Sequence, residues 1–168
     1  GESLTIGMDF TKKKIVTDKK SQIDEIEDYF DLKLATVFRL KEEKNIPSNS
    51  TLNKKTSNMF GQIDFTPNKI VSLNYKFSLK NNLNNLEYNS IESNFNYKNF
   101  STTFGFLEER GIIGNSNVIE NTTEYKFDEY NSLSFGTRRN REISLTEYYD
   151  LVYEYKNDCL IADIKYRK

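Results

Sequence analysis

The chain of 168 residues contains no His and no Trp, a single Cys and only two Pro. Ala is scarce as well, at Ala35 and Ala162 alone. Without His there is no imidazole base, no imidazole metal ligand, and no Ser-His-Asp or Cys-His arrangement. One Cys cannot build a structural zinc site, so neither a metal nor another cofactor is expected. Excess charge is missing too: 24 Lys+Arg against 25 Asp+Glu leave a net charge of -1, without the basic footprint of a nucleic-acid binder. The longest unbroken apolar run is Cys159–Ala162, too short for a transmembrane helix. No signal peptide opens the chain, and Gly1 stands first, as in a mature protein or an excised fragment.

Phe and Tyr are abundant, with 12 and 11 residues, and about 20 residues are Asn. Aromatics favour strands, Asn favours turns, and the best helix former is nearly missing. Hydrophobic residues make up 36% of the chain. Disorder is still excluded, because Leu, Ile, Val and Phe together reach about 27% and the net charge is small. The composition predicts an all-β protein.

Period-two alternation then marks about ten strands. Leu4, Ile6, Met8 and Phe10 alternate with polar residues, as do Phe30, Leu32, Leu34, Phe38 and Leu40. Further segments run over Met59–Phe65, Val71–Leu79, Ile91–Tyr97, Phe100–Phe106, Ile119–Phe127 and Ser132–Arg138, and the last over Tyr149–Tyr155 and Leu160–Arg167. The order predicts one antiparallel up-and-down meander across residues 1–168.

Two features favour a segment of a transmembrane β-barrel over a soluble sandwich. Strands of roughly ten residues match the ~9–11 needed to cross a bilayer at a tilt, against 5–6 in sandwiches. Short turns (Thr66–Lys69, Lys98–Asn99, Asp128–Asn131, Lys156–Asp158) also interleave with longer loops (Lys41–Thr56, Lys80–Asn85, Glu108–Ser116, Asn140–Leu145), as periplasmic turns and outer loops do. Residues 12–29 break this parity and read as a charged, solvated insertion between the first two strands.

Several residues stand out on this frame. Lys33, Arg39, Asn74, Lys76, Asn94, Asn96, Arg138, Glu154 and Lys165 fall on the polar face, lining a wet lumen in a barrel or facing solvent in a single sheet. Phe10, Phe65, Tyr97, Phe127 and Tyr155 end the strands entering the short turns. They form either an interfacial aromatic girdle or the ordinary aromatic content of strands. Arg138, Arg139 and Arg141 are candidate contacts for a glycolipid phosphate, or simply a charged rim. The carboxylates of Glu108-Glu109 and of Asp24, Glu25, Glu27 and Asp28 read as solvated charge runs rather than acid–base pairs. Cys159, after a short turn, is either a disulfide partner for a Cys elsewhere or a packed free thiol.

The stretch Leu145-Thr146-Glu147-Tyr148-Tyr149-Asp150-Leu151-Val152-Tyr153-Glu154-Tyr155-Lys156-Asn157-Asp158-Cys159 resembles the C-terminal barrel of the LPS-assembly LptD family, in its alphaproteobacterial branch. Leu34–Arg39, Phe60–Ile63 and Glu108–Gly111 fit the same family. The resemblance implies a non-enzymatic outer-membrane translocon that carries lipopolysaccharide (LPS) to the cell surface. It implies an LptE-type plug lipoprotein inside the barrel, and a periplasmic Lpt bridge joined through an N-terminal domain that this chain does not include. Cys159 matches the second of a family Cys pair bonded to that domain, while Asp158 stands where the first would be, leaving at most one such bridge. In a slice of a larger barrel, Ser3–Phe10 and Cys159–Arg167 would be edges needing neighbours. A general porin and a soluble extracellular β-domain acting as an adhesin or binding module are the competing readings.

Overall fold

The computed structural model describes residues 2–17, 24–47, 51–111 and 114–168. The strands are β1 (Ser3–Thr17), β2 (Asp24–Arg39), β3 (Met59–Phe65), β4 (Val71–Leu79), β5 (Leu86–Tyr97), β6 (Phe100–Gly111), β7 (Gly114–Lys126), β8 (Asn131–Asn140), β9 (Leu145–Lys156) and β10 (Ile161–Arg167). They form one ten-stranded sheet in sequence order, each antiparallel to the next. The meander follows from the chain itself: antiparallel neighbours need only short links, and strand-forming segments follow one another without helix formers between them.

Asn and Asp build the links. Asn68 Oδ1 accepts the backbone N–H of Ile70 and Val71, at 2.8 and 2.9 Å. Asp128 Oδ1 does the same for Tyr130 and Asn131, and Asn157 Oδ1 for Cys159 and Leu160. Each side chain mimics a turn carbonyl and satisfies the amides that the ladder leaves free. Bonds from the Tyr130 amide and the Asn131 side chain also hold the Asp128 carboxyl below the ordinary aspartate range. The β5–β6 hairpin instead turns through Lys98, whose φ is 51°.

Two expected links are strand instead. In the charged stretch 12–29, Lys12–Thr17 extend β1 and Asp24–Tyr29 extend β2; residues 18–23 lie outside the described part. Cross-strand pairs stabilise this hairpin, with Lys13 3.1 Å from Asp28 and Lys14 3.2 Å from Glu27. A bulge after Lys12 marks where it leaves the sheet proper. In the expected loop Glu108–Ser116, Glu108–Gly111 likewise extend β6 and Gly114–Ser116 open β7, with Gly111 paired to Gly114; residues 112–113 lie outside the described part. Asn140 ends β8 and Leu145 opens β9, so that link is no longer than the short turns. The loop asymmetry therefore rests on the long β2–β3 connection and on Lys80–Asn85, which links β4 to β5 as expected.

Register sorts the side chains into two faces, because directly paired residues share a side. One row runs Leu32–Ile63–Tyr75–Ile91–Phe106–Ile119, and a parallel one runs Phe95–Thr102–Thr123–Phe135–Leu151–Tyr166. This is the apolar face. Packing is close enough that a Cβ on Gly61 would sit 2.1 Å from the ring of Phe77. The ring lies flat over the glycine and takes the space a side chain would fill.

Candidate functional site

The exposure of the two faces is inverted relative to a soluble protein. On β9, Tyr149, Leu151 and Tyr153 are 47%, 42% and 39% exposed, while the side chain of Asp150 between them is only 13% exposed. Leu4, Ile6, Met8, Phe104, Phe135 and Ile164, on the same apolar face, are also exposed. Among the described residues Val118 is the buried hydrophobic residue, and it lies on the polar face. Apolar patches on this scale mark a membrane or partner surface.

All the polar residues singled out from the alternation share the opposite face. Lys33 pairs with Gln62, which pairs with Lys76. Asn94 pairs with Ser72, Asn96 with Ser101, and Glu154 with Ser132 and Asp163. Arg39 joins them, with its Nε donating to the Leu52 carbonyl at 2.7 Å. The acids that balance these cations were not singled out, although they obey the same period of two. One row places Asp31, Asp64, Asn74, Glu92, Gly105, Glu120 and Arg138 side by side. Thr11 donates to Asp31, and Gln62 and Asn74 donate to Asp64, so the facing carboxylates are each held by neutral donors. At the sheet edge, Arg167 grips Asp150 through two bonds of 2.6 Å, with Lys165 at 3.1 Å.

The β2–β3 connection folds against this polar face. Ser57 and Asn58 are 1% and 4% exposed. Ser57 exchanges backbone and side-chain hydrogen bonds with Val37. Asn58 Nδ2 donates to Ser78 Oγ at 3.0 Å and to Glu87 Oε2 at 2.5 Å, and its N–H to Thr51 Oγ1 at 3.2 Å. Between this segment and the sheet lies a cleft of about 880 Å³, bordered by Lys33, Phe60, Lys76 and Tyr88. Only the juxtaposition of Ser78 and Glu87 with the loop makes Asn58 distinctive, so local pattern could not single it out.

The aromatic band at the short-turn end is broader than the five residues expected. Phe65 and Tyr97 end β3 and β5, Phe127 follows β7, and Tyr155 is next to last in β9. Phe10 sits inside β1 rather than at its end, because the hairpin extends past it. It packs on Phe30, with ring centroids 6.2 Å apart, and Phe30 pairs with Phe65. Phe100, on the strand leaving its turn, packs on Phe95 at 6.1 Å; Tyr125, on the strand entering the next turn, packs on Phe127 at 5.3 Å, and Tyr130, within that turn, on Tyr155 at 6.4 Å.

The arginine cluster is divided. Arg138 points to the polar face, 3.6 Å from Glu120 and 2.8 Å from Glu147. Arg139 pairs with Ile119 on the apolar face, and Arg141 continues the ladder by donating its N–H to the Asn117 carbonyl. Neighbours along a strand point to opposite sides, so the three guanidinium groups do not converge. Cys159 is free and exposed in the β9–β10 turn, beside the edge strand β10. It borders a cleft with Tyr130 and Lys156.

The family described as LptD: LPS transport system D matches residues 12–130, more than two thirds of the chain. The match takes in Leu34–Arg39, Phe60–Ile63 and Glu108–Gly111, and ends before the Tyr-rich β9. No curated protein matches the chain.

Proposed function

The chain belongs to the LPS transport system D (LptD) family, and on that premise we propose that it forms part of the wall of an outer-membrane translocon. Its role in LPS transport is that of a conduit, without catalysis. The apolar face meets lipid. The polar face, with Lys33, Arg39, Asn74, Lys76, Asn94, Asn96, Arg138, Glu154 and Lys165, lines a wet lumen that holds an LptE-type plug lipoprotein and passes LPS sugars. The band around Phe65, Tyr97, Phe127 and Tyr155 sits at the periplasmic interface, where the amphipathic ring of Tyr meets headgroups. Cys159 is on that side, in the oxidising periplasm, and pairs with a Cys of the periplasmic N-terminal domain that joins the Lpt bridge.

The observation that carries this reading is the inverted exposure: charges sheltered on one face, large apolar groups bare on the other. Depleting the protein from its cell, while following newly made LPS with an impermeant surface label, tests it. Surface arrival should fall as the protein is lost. Unchanged arrival with the protein gone contradicts the assignment.

A further inference from the structure

Past the bulge after Lys12, Lys13–Thr17 and Asp24–Asp28 pair only with each other among the described residues, and β3 joins the sheet at Phe30. A two-stranded ribbon is marginal in water unless its side chains hold it. Apolar contact contributes little, because Ile15 and Ile26, which face each other, are 71% and 69% exposed. Charge contributes more, and it is segregated by strand. Lys12, Lys13 and Lys14 stand on β1, and Asp24, Glu25, Glu27 and Asp28 on β2. Lys13 lies 3.1 Å from Asp28 and Lys14 3.2 Å from Glu27. Lys69, in the β3–β4 turn, adds contacts of 3.2 Å to Glu27 and 3.9 Å to Glu25, while Asp24 accepts from Thr17 Oγ1 at 2.6 Å. Hydrogen bonds from Lys14 and then Lys69 hold the Glu27 carboxyl below the ordinary glutamate range. The base of the ribbon is held by other means. Lys14 Nζ donates to the Pro67 carbonyl, the Thr66 amide donates to the Tyr29 carbonyl, and Tyr29 packs on Phe65 with Lys12 over its ring.

We propose that residues 12–17 and 24–29 form a charge-zippered arm, a switch that stands at neutral pH and moderate salt and opens down to the bulge in acid or concentrated salt, while the sheet below stays intact. The inference takes only the arm's position, at the periplasmic mouth of the lumen, from the outer-membrane reading above. Because the Glu27 carboxyl is depressed in the folded arm, its stabilisation is whole above the ordinary glutamate value of ~4.3 and is lost as pH falls through the lowered one. Once Glu25, Glu27 and Asp28 carry protons, Lys12, Lys13, Lys14 and Lys69 face one another with nothing to offset their repulsion. Salt acts on the same contacts, since the screening length shrinks from ~10 Å at 0.1 M to ~3 Å at 1 M. Opening stops at the bulge, where Lys12 and Phe30 still pair and Phe30 is bonded onward to Phe65.

Hydrogen exchange of the full-length protein in detergent, expressed as protection relative to the intrinsic rate at each pH, tests the switch. Protection of residues 13–17 and 24–28 should fall at least ~10-fold from pH 7 to pH 3, and ~3-fold in 1 M NaCl at pH 7. Residues 32–37 should keep theirs throughout. Lys13→Glu should lose ~3-fold at pH 7, and adding Asp28→Lys should restore the wild-type value by re-forming the pair with its signs exchanged. An arm equally protected at pH 7, at pH 3 and in salt overturns the proposal, as does one without protection at pH 7. A doubly exchanged variant no better than Lys13→Glu shows that something other than charge holds the ribbon, and parallel loss in residues 32–37 shows that the arm is no separate unit. Either result overturns the switch. None of these outcomes bears on the outer-membrane reading, because none depends on what bathes the apolar face.

Discussion

Phe135→Arg should cost about 2–4 kcal/mol in a bilayer, whereas Ser134→Arg, one residue earlier, should cost less than about 0.5 kcal/mol. Phe135 lies between Thr123 and Leu151 on the apolar face, stacked on Tyr149 with centroids 6.3 Å apart. A cation there has only hydrocarbon to face. Ser134 faces Glu124 across β8–β7, so a guanidinium at that position gains water and an opposite charge. The pair also discriminates against a soluble domain. Phe135 is already 39% exposed, and in water an arginine at so open a site is well tolerated. Unfolding by denaturant from phospholipid vesicles gives both numbers. Equal, small costs would place both faces in water.

Asn58→Ala should release the β2–β3 segment from the polar face. Its amide holds Ser78 and Glu87 together under the loop, at a site only 4% exposed. Truncation removes both bonds and leaves a buried hydroxyl and a carboxylate without their donor, a cost of about 1–3 kcal/mol. The loss is local, because the ladders on either side do not depend on it. Hydrogen exchange at the amides of Val37, Arg39 and Ser57, which bond across this segment, should quicken by about 10–100-fold. The cleft beside Lys33 and Lys76 should widen, raising conductance in a planar bilayer. Unchanged exchange at those three amides would mean that the loop is held elsewhere.

The strands themselves were legible because alternation in a half-buried sheet is a strictly local signal. Val71–Leu79 and Ser132–Arg138 show it in their own residues, and every polar position picked from it falls on one face. What the sequence hid was mostly pairing. Lys12–Thr17 and Asp24–Tyr29 carry too much charge to look like strand, yet their charges neutralise one another across the hairpin. Glu108–Ser116 looked like a loop for the same reason. Phe30 and Phe100 lie on strands leaving a turn, Tyr130 within one, and Phe95 and Tyr125 one step back along strands entering one, so the last aromatic of each entering strand marks only part of the band. Arg138 and Arg139 read as one cluster along the chain, although a period of two must send them apart. Family membership could be sensed from short motifs, but the Tyr-rich stretch that carried most of the resemblance lies beyond the matched residues.

The central claim is that one face of the sheet is in lipid and the other in water. A cysteine scan along β9, in the full-length protein in its membrane with Cys159 replaced by Ser, tests it most directly. A lipid-soluble reagent should label positions 149, 151 and 153, while a small water-soluble maleimide should label 148, 152 and 154. Alternation with that phase supports the account. Labelling of positions 149, 151 and 153 by the water-soluble reagent, as readily as their neighbours, would contradict it.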